Sequence, residues 1–234
     1  MQKDVEITIA PNNIENEKAI LESLSAALKI KSDQITGYKI LKRSIDARSR
    51  KVVYRMQVRA FINEAYVSEP QIFSYPKVTH DKKVIIVGAG PAGLFAALQC
   101  IENGLKPIVV ERGKDVKQRR RDLAVINKQG VVNTESNYCY GEGGAGTYSD
   151  GKLYTRSNKR GDINKVLQIF IQHGADQDIA IDARPHIGTN KLPHIITAIR
   201  ETIIAAGGEV LFDSKLTDLI IEDGQVRGIV VNHE

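Results

Sequence analysis

The alternation of apolar and polar positions begins with a short mixed module. Residues 5–10 alternate as a strand does, and residues 16–29 then place apolar side chains at helical spacing. Two further alternating runs, residues 35–44 and 52–61, follow on either side of a charged turn. This order predicts a small β-α-β-β domain over residues 1–75, and no motif within it indicates a chemistry.

A linker and a change of pattern come next. Residues 76–83 contain a proline and a charged stretch, which is typical of a connection between domains. Residues 84–87 are then continuously apolar, as in a strand that is buried on both faces. We therefore expect a second domain, built on a parallel sheet, over residues 84–234.

A glycine-rich turn joins this strand to a helix. The turn has the form G-x-G-x-x-G, and the apolar helix after it ends near Asn103-Gly104. The first glycine permits a tight turn, the second lets the backbone approach a pyrophosphate, and the third lets the helix pack closely on the strand. The helix directs free N–H groups and the positive end of its dipole at the phosphates. The predicted dinucleotide-binding residues of this fingerprint are Gly88, Gly90, Pro91, Ala92 and Gly93.

An acidic residue, Glu111, ends the next apolar strand at residues 107–110. A carboxylate in this position accepts hydrogen bonds from a ribose hydroxyl and disfavours a 2′-phosphate, which argues against NADP at this site. NAD and FAD share the fingerprint, so this pattern alone leaves both cofactors open.

A second glycine cluster lies at residues 141–147, where four of the seven residues are glycine. Backbone N–H groups of such a loop can bind a pyrophosphate or donate to a flavin ring. A flexible surface loop is the alternative interpretation. The residues expected to contact the cofactor are Gly143, Gly144, Ala145, Gly146 and Thr147.

Composition narrows the class of protein. The chain has 234 residues, 42% of them hydrophobic, and a net charge of +5, which suits an ordinary soluble α/β protein. No apolar run approaches the roughly 20 residues of a membrane helix, and the first residues lack the apolar core of a signal peptide. We expect a cytoplasmic protein with no membrane partner. Two cysteines, Cys100 and Cys139, are too few for a typical metal site, and we expect no metal.

Several stretches resemble known flavoproteins. Pro91 after the second glycine, and Glu111 followed by Arg112, resemble the FAD-binding proteins of the glutathione reductase and hydroxybenzoate hydroxylase type. Four longer stretches resemble a poorly defined group of bacterial FAD-dependent dehydrogenases, or NAD(P)/FAD-dependent oxidoreductases, that carry a small N-terminal module. These stretches are residues 44–48, 87–93, 142–153 and 183–192.

The resemblance implies a fold and further cofactor contacts. The fold is α/β, with a glutathione-reductase-type, Rossmann-like FAD-binding sheet and a β-meander, preceded by a small α+β domain. Arg112 and Arg119 are implied to bind FAD, Arg119 by reaching its phosphates, and the backbone near Leu216 is implied to bind the adenine. For Arg120 and Arg121, the neighbours of Arg119, a role as surface charges is an equal alternative. The related flavoproteins continue with a substrate-binding region, so we expect this chain to be incomplete at its C-terminus.

The function implied is that of an FAD-dependent oxidoreductase, although the fragment alone could be inactive. The flavin would accept hydride from an unidentified donor, either a substrate or NAD(P)H, and pass electrons to an unidentified acceptor. His186 is the candidate for proton exchange near the flavin, with a structural role as the alternative. An NAD-linked dehydrogenase and a non-catalytic dinucleotide- or RNA-binding protein remain alternatives. Nucleic acid is not the favoured partner, because the N-terminal module lacks interleaved aromatics, and the oligomeric state stays open.

Overall fold

The computed structural model describes residues 1–67, 71–155, 161–188 and 190–233. The helices are α1 (Glu17–Leu28), α2 (Pro91–Glu102), α3 (Val116–Gln129), α4 (Ile163–Gln172) and α5 (Leu192–Ala205). The strands are β1 (Gln2–Ile9), β2 (Ile35–Asp46), β3 (Val53–Ile62), β4 (Lys83–Val87), β5 (Lys106–Val110), β6 (Glu209–Leu211), β7 (Leu216–Glu222) and β8 (Gln225–Val231). Among the described residues, no helix combines the length and the apolar character needed to cross a membrane.

The chain divides into two compact units that each combine separate segments. The first unit comprises Met1–Ile72, Lys152–Ile171 and Asp176–His186. The second comprises Phe73–Gly151, Gln172–Ala175 and Ile187–Glu234. The sequence prediction placed residues 152–171 and 176–186 in the FAD-binding domain, whereas the structure groups them with the N-terminal module.

The first unit contains the predicted β-α-β-β order. Its three strands form an antiparallel sheet in the order β1-β3-β2. Asn16 caps α1, its side chain accepting a hydrogen bond from the backbone N–H of Ala19, and Lys29 ends the helix in the left-handed conformation. Met56 and Val58 of β3 are fully buried in one cluster with Leu24 of α1. Burying one such side chain contributes about 1.5–3 kcal/mol, so this cluster is a source of stability for the module.

Arg43 joins the later segments of the first unit to β2. Its backbone N–H donates to the carbonyl oxygen of Ile181, and its carbonyl oxygen accepts from the N–H of Ala183. Its guanidinium forms ion pairs with Asp178, at 2.6 Å, and Asp182, at 2.7 Å. These contacts bring residues 44–48 and the first four residues, 183–186, of the stretch 183–192 onto the same unit.

The second unit is built on a parallel sheet in the order β4-β5-β6. Strand β4 leads through a turn into α2, and α2 packs on β5 and on α5. The buried side chains between these elements include Leu98 and Ile101 of α2, Val109 of β5, and Ile195 and Ile199 of α5. This βαβ arrangement confirms the predicted Rossmann-like class.

Strand β4 departs from the sequence prediction of burial on both faces. Ile85 is 42% exposed and Val87 is 58% exposed, while the alternating residues Val84 and Ile86 are half-buried. The alternation arises because α2 packs against one side of β4 and, within the described residues, the strand lies at the edge of its sheet. The continuous apolar run therefore correctly predicts a strand, but only one face of that strand is packed against other elements.

The predicted hairpin near the end of the chain is confirmed. Strands β7 and β8 pair antiparallel, and Glu222 lies opposite Gln225 across a two-residue loop. Asp223 and Gly224 both have positive φ values, 50° and 75°, which is the conformation of a type I′ turn and the reason that Asp-Gly favours it.

Candidate functional site

The turn between β4 and α2 has the shape that its three glycines predict. A Cβ atom at Gly93 would overlap the carbonyl oxygen of Gly88, so this position must lack a side chain. Gly88 has a φ of +96°, and its N–H donates to the carbonyl oxygen of Val110 at 2.8 Å, which joins the turn to β5. Pro91 is the first residue of α2, where its missing N–H costs no hydrogen bond.

Gly90 differs from Gly93 in what surrounds it. A Cβ atom at Gly90 would meet nothing within 4 Å, and its φ of −75° is open to any residue. Gly90 caps α2 and lies in the wall of a cavity. The absence of a side chain here is therefore not required by packing, and it leaves room for a group at the N-terminus of the helix.

The cavity beside Gly90 has a volume of about 340 Å³ and belongs entirely to the second unit. This volume falls in the range of about 300–1,000 Å³ that is typical of small-molecule sites. Six predicted cofactor-binding residues form part of its wall: Gly88, Gly90, Glu111, Arg112, Gly144 and Leu216. The sequence analysis did not assign the remaining wall residues to the site, and these include Cys139, Tyr140, Gly141, Ser214 and Lys215.

Glu111 joins three loops of this site. One carboxylate oxygen accepts a hydrogen bond from the N–H of Ala89, at 2.8 Å. The other accepts from Gly113, at 2.8 Å, and from Gly141, at 3.0 Å. The residue is only 5% exposed. Since a carboxylate has about four acceptor sites, these three bonds leave about one for a ribose hydroxyl.

Arg112 lies in the same wall but is held by neighbours. Its guanidinium forms an ion pair with Glu135, at 2.6 Å, and lies over the ring of Tyr140, 3.9 Å from the centroid. The hydrogen bond from Arg112 lowers the pKa of Glu135 below its ordinary value, and Lys215 acts in the same direction. The side chain of Arg112 thus presents a fixed, flat surface at the cavity rather than a free charge.

Arg119 occupies a different place from the one predicted. The residue is 0% exposed, and burial lowers the pKa of its guanidinium below the ordinary value. The guanidinium donates to the carbonyl oxygens of Asn137, Tyr138, Gly141, Glu142 and Gly144, and to the hydroxyl of Thr147, over 2.7–3.3 Å. The predicted phosphate contact is therefore corrected, because these bonds aim the side chain into the second glycine loop and away from solvent.

The second glycine loop packs against the first. The N–H of Gly143 donates to the carbonyl oxygen of Ala89 at 2.8 Å, and a Cβ atom at Gly144 would lie 3.3 Å from Cδ of Pro91. A Cβ atom at Gly143 would overlap the side chains of Thr147 and Ile196. Close packing, rather than surface flexibility, therefore accounts for the glycines at 143 and 144.

The other predicted residues have mixed positions. Thr147 is fully buried and its hydroxyl donates to the carbonyl oxygen of Gly144, whereas Ala145 and Gly146 are exposed. Ala92 lies in the first turn of α2, and Leu216 begins β7 in the cavity wall.

His186, the catalytic candidate, belongs to the first unit, where its side chain is exposed and its backbone forms a β-bridge with Lys152. Its catalytic role stays a prediction, and Thr189, three residues later, lies outside the described residues.

Glu142 is a buried charge that the sequence did not single out as a site residue. It is 0% exposed, and one carboxylate oxygen accepts from the N–H of Val116 and from Arg200, both at 2.8 Å. Within the described part of the chain, the other oxygen has no hydrogen-bond partner. Burial raises the pKa of this carboxyl above its ordinary value. The sequence gives no sign that Glu142 is buried, because a glutamate flanked by glycines is typical of an exposed surface loop.

The structure places a strand, a glycine turn and the N-terminus of a helix beside a cavity, and an acidic residue ends the next strand. This arrangement is that of a Rossmann-like, dinucleotide-binding fold. Residues 83–125 match the family described as FAD binding domain. The cofactor is FAD, as predicted, and the open space at Gly90 suits the pyrophosphate that FAD carries. Residues 1–61 match a second family, described as a domain of unknown function (DUF8436).

Whole-chain comparisons extend this assignment. The chain is 38% identical over 237 residues to a protein of Clostridium beijerinckii named "Uncharacterized protein", an alignment that covers 94% of this chain and 44% of that protein. It is 28% identical over 179 residues to thiamine thiazole synthase of Aeropyrum pernix, covering 75% of this chain and 54% of that enzyme. The chain thus spans about half the length of the curated relatives it matches.

Solved structures give a weaker similarity. The 3-ketosteroid-delta4-(5alpha)-dehydrogenase of Rhodococcus jostii shares 16% sequence identity with this chain at a TM-score of 0.37. The superposition covers 68% of this chain and 45% of that one. At this level the similarity says nothing about the reaction of this chain.

Proposed function

We propose that this chain is the FAD-binding part of a flavin-dependent oxidoreductase, acting on a donor and an acceptor that are still to be identified. When bound, FAD supplies two-electron redox chemistry, by which hydride from a reduced substrate or NAD(P)H is passed on to an acceptor. The observation that carries the proposal is the open space at Gly90, at the N-terminus of α2 and in the wall of the 340 Å³ cavity.

The residues around the cavity have separable tasks in this proposal. The first backbone N–H groups of α2 have no partners within the helix, so they are available to the pyrophosphate, and the helix dipole favours that negative charge. The remaining acceptor site of Glu111 would bind a ribose hydroxyl. Leu216 and the flat pair of Arg112 and Tyr140 would flank the adenine end.

The second glycine loop acts through its shape. Arg119 binds the carbonyl oxygens of this loop from the inside, so that its backbone keeps one conformation against Ala89 and Pro91. Gly144 then forms part of the cavity wall beside Gly90. Arg119 is in this account a positioning residue, with no direct contact to the phosphates.

Identification of the cofactor bound in cells tests the proposal. The chain, purified without added nucleotide, should show the absorption of oxidised flavin, and denaturation should release FAD, identified by mass. Anaerobic addition of NADH or NADPH should bleach that absorption if a nicotinamide is the donor. If neither bleaches it, a panel of other reduced substrates is tested in the same way. Release of NAD in place of flavin would overturn the proposal in favour of an NAD-linked dehydrogenase. Bound FAD that no donor reduces, even in a full-length relative, would favour a non-catalytic role.

A further inference from the structure

A second cavity of the second unit lies between the start of α3 and the first half of α5. It has a volume of about 540 Å³, within the range of small-molecule sites, and shares no wall residue with the FAD cavity. Tyr148, which directly follows the second glycine loop, belongs to its wall. The cavity thus borders the same loop as the FAD site while remaining separate from it.

Positive charge predominates in this wall. Lys117, Arg120 and Arg200 line the cavity, against the single carboxylate of Asp115. The carboxylate of Asp115 is engaged as the cap of α3, where it accepts from the N–H groups of Lys117 and Gln118. The side chains of Lys117 and Arg120 are exposed, and across the described ranges of the chain neither forms an ion pair with a carboxylate. The guanidinium of Arg120 donates a long hydrogen bond, 3.4 Å, to the side-chain oxygen of Asn190, which is neutral. The positive charges of Lys117 and Arg120 are therefore not balanced by an ion pair within the described residues.

Arg200 adds a third cation, which forms an ion pair with a buried carboxylate. Its only ion pair in the described residues is with Glu142, which is buried behind the cavity wall at 2.8 Å. The side chain of Arg200 is 18% exposed and still reaches the cavity.

The remaining wall offers surface for an organic body. The ring of Phe212 lies beneath the guanidinium of Arg200, 5.5 Å from the centroid. Tyr148 donates its hydroxyl to the carbonyl oxygen of Val116 at 2.6 Å, which fixes its ring in place. Pro193 adds a further apolar surface. A ligand with an anionic group and a small carbon skeleton could contact both the cationic side chains and this aromatic and apolar surface.

We propose that this cavity binds a small organic anion, a carboxylate or a phosphate ester, through Lys117, Arg120 and Arg200. Arginine suits this task because its planar fork of donors matches a carboxylate or phosphate in two hydrogen bonds. The aromatic side chains of Tyr148 and Phe212 would contact the carbon skeleton. The proposal concerns a site apart from the FAD cavity and does not depend on which reaction the flavin performs.

Calorimetric titration of the FAD-loaded chain with inorganic phosphate and with succinate, at constant ionic strength, tests this site and distinguishes the two chemistries. We expect saturable binding of one of the two probes at a single site. Arg120→Gln and Lys117→Gln should each weaken it by about tenfold, whereas Arg121→Gln should leave it unchanged. Arg121 is the matched control, since it is an exposed arginine of the same helix outside the cavity wall.

Two results would overturn the proposal. One is the absence of saturable binding of both probes, and the other is an equal loss in Arg121→Gln, which would indicate attraction to the net charge of α3. The flavin content of every variant is measured in parallel. Normal FAD content with no anion binding would reject this site alone, while loss of FAD from the unmodified chain would reject the proposed function instead.

Discussion

The guanidinium of Arg119 donates a hydrogen bond to the carbonyl oxygen of Gly144 at 2.8 Å, from a position that solvent does not reach. Gly144 is in the wall of the candidate FAD cavity, whereas Arg119 is not part of that wall. A cationic side chain thus shapes this cavity by binding the backbone of a glycine-rich loop.

We expect Arg119→Lys to weaken FAD binding by tenfold or more and to lower the free energy of unfolding by on the order of 3 kcal/mol. The reason is that a single ammonium group cannot satisfy the acceptors that Arg119 serves, and each buried acceptor left without a donor costs about 1–3 kcal/mol. Urea denaturation and fluorescence titration with FAD measure the two effects. Arg121→Lys is the control, and equal behaviour of the two variants would contradict the positioning role.

Gly143 and Gly146 form a matched pair within the second loop. Gly143→Ala should impair folding and flavin binding, because the added methyl group would overlap Thr147 and Ile196 at a φ of +82°. Gly146→Ala should be tolerated, because a Cβ atom there meets nothing within 4 Å. Soluble yield and flavin content per chain report the difference. If Gly146→Ala proved the more damaging change, the loop described here would have the wrong conformation.

Glu111→Ala should weaken FAD more than it weakens FMN, since only FAD carries the adenosine ribose. The variant should also lose stability, because the N–H groups of Ala89, Gly113 and Gly141 lose their acceptor. Competition titrations with FAD, FMN and ADP separate the two effects. A loss that is equal for FAD and FMN would indicate that Glu111 serves only to join the loops.

Glu142 should give stability a specific pH dependence. Because its pKa is raised in the folded chain, the folded state holds a proton that the unfolded state releases above the ordinary pKa of 4.5. The free energy of unfolding should therefore fall as the pH rises from about 4.5 through the higher, folded-state pKa. Glu142→Gln, which has no charge to desolvate, should show a flatter profile. Parallel profiles for the two proteins in urea denaturation from pH 4 to 8 would refute this assignment.

The fingerprint was predictable from sequence because its physics is local. The roles of Gly88, Gly90 and Gly93 follow from a strand, a turn and a helix that are consecutive in the chain. The hairpin at Asp223-Gly224 is equally local, because these two residue types readily adopt the positive φ values that its turn requires. The β-α-β-β order of the first strands and helix was predictable for a similar reason, since their periodicities are regular.

Arg119 shows where such reasoning ends. Residues 117–121 are one basic run in the sequence, yet Arg119 is buried while its four neighbours are exposed. The difference depends on the carbonyl oxygens of residues 137–144, which only the folded loop brings to that face of α3. The exposed face of β4 and the buried Glu142 likewise depend on neighbours that are distant in the chain.

The central claim is that the space beside Gly90 is occupied by the pyrophosphate of FAD, and Gly90→Val tests it most directly. The φ of Gly90 suits valine and its surroundings leave room, so the variant should fold, with an unchanged circular dichroism spectrum. Equilibrium titration with FAD should then show an affinity at least about 100-fold lower, which corresponds to about 2.7 kcal/mol. A folded Gly90→Val chain that binds FAD as tightly as the unmodified chain would show that the cofactor lies elsewhere.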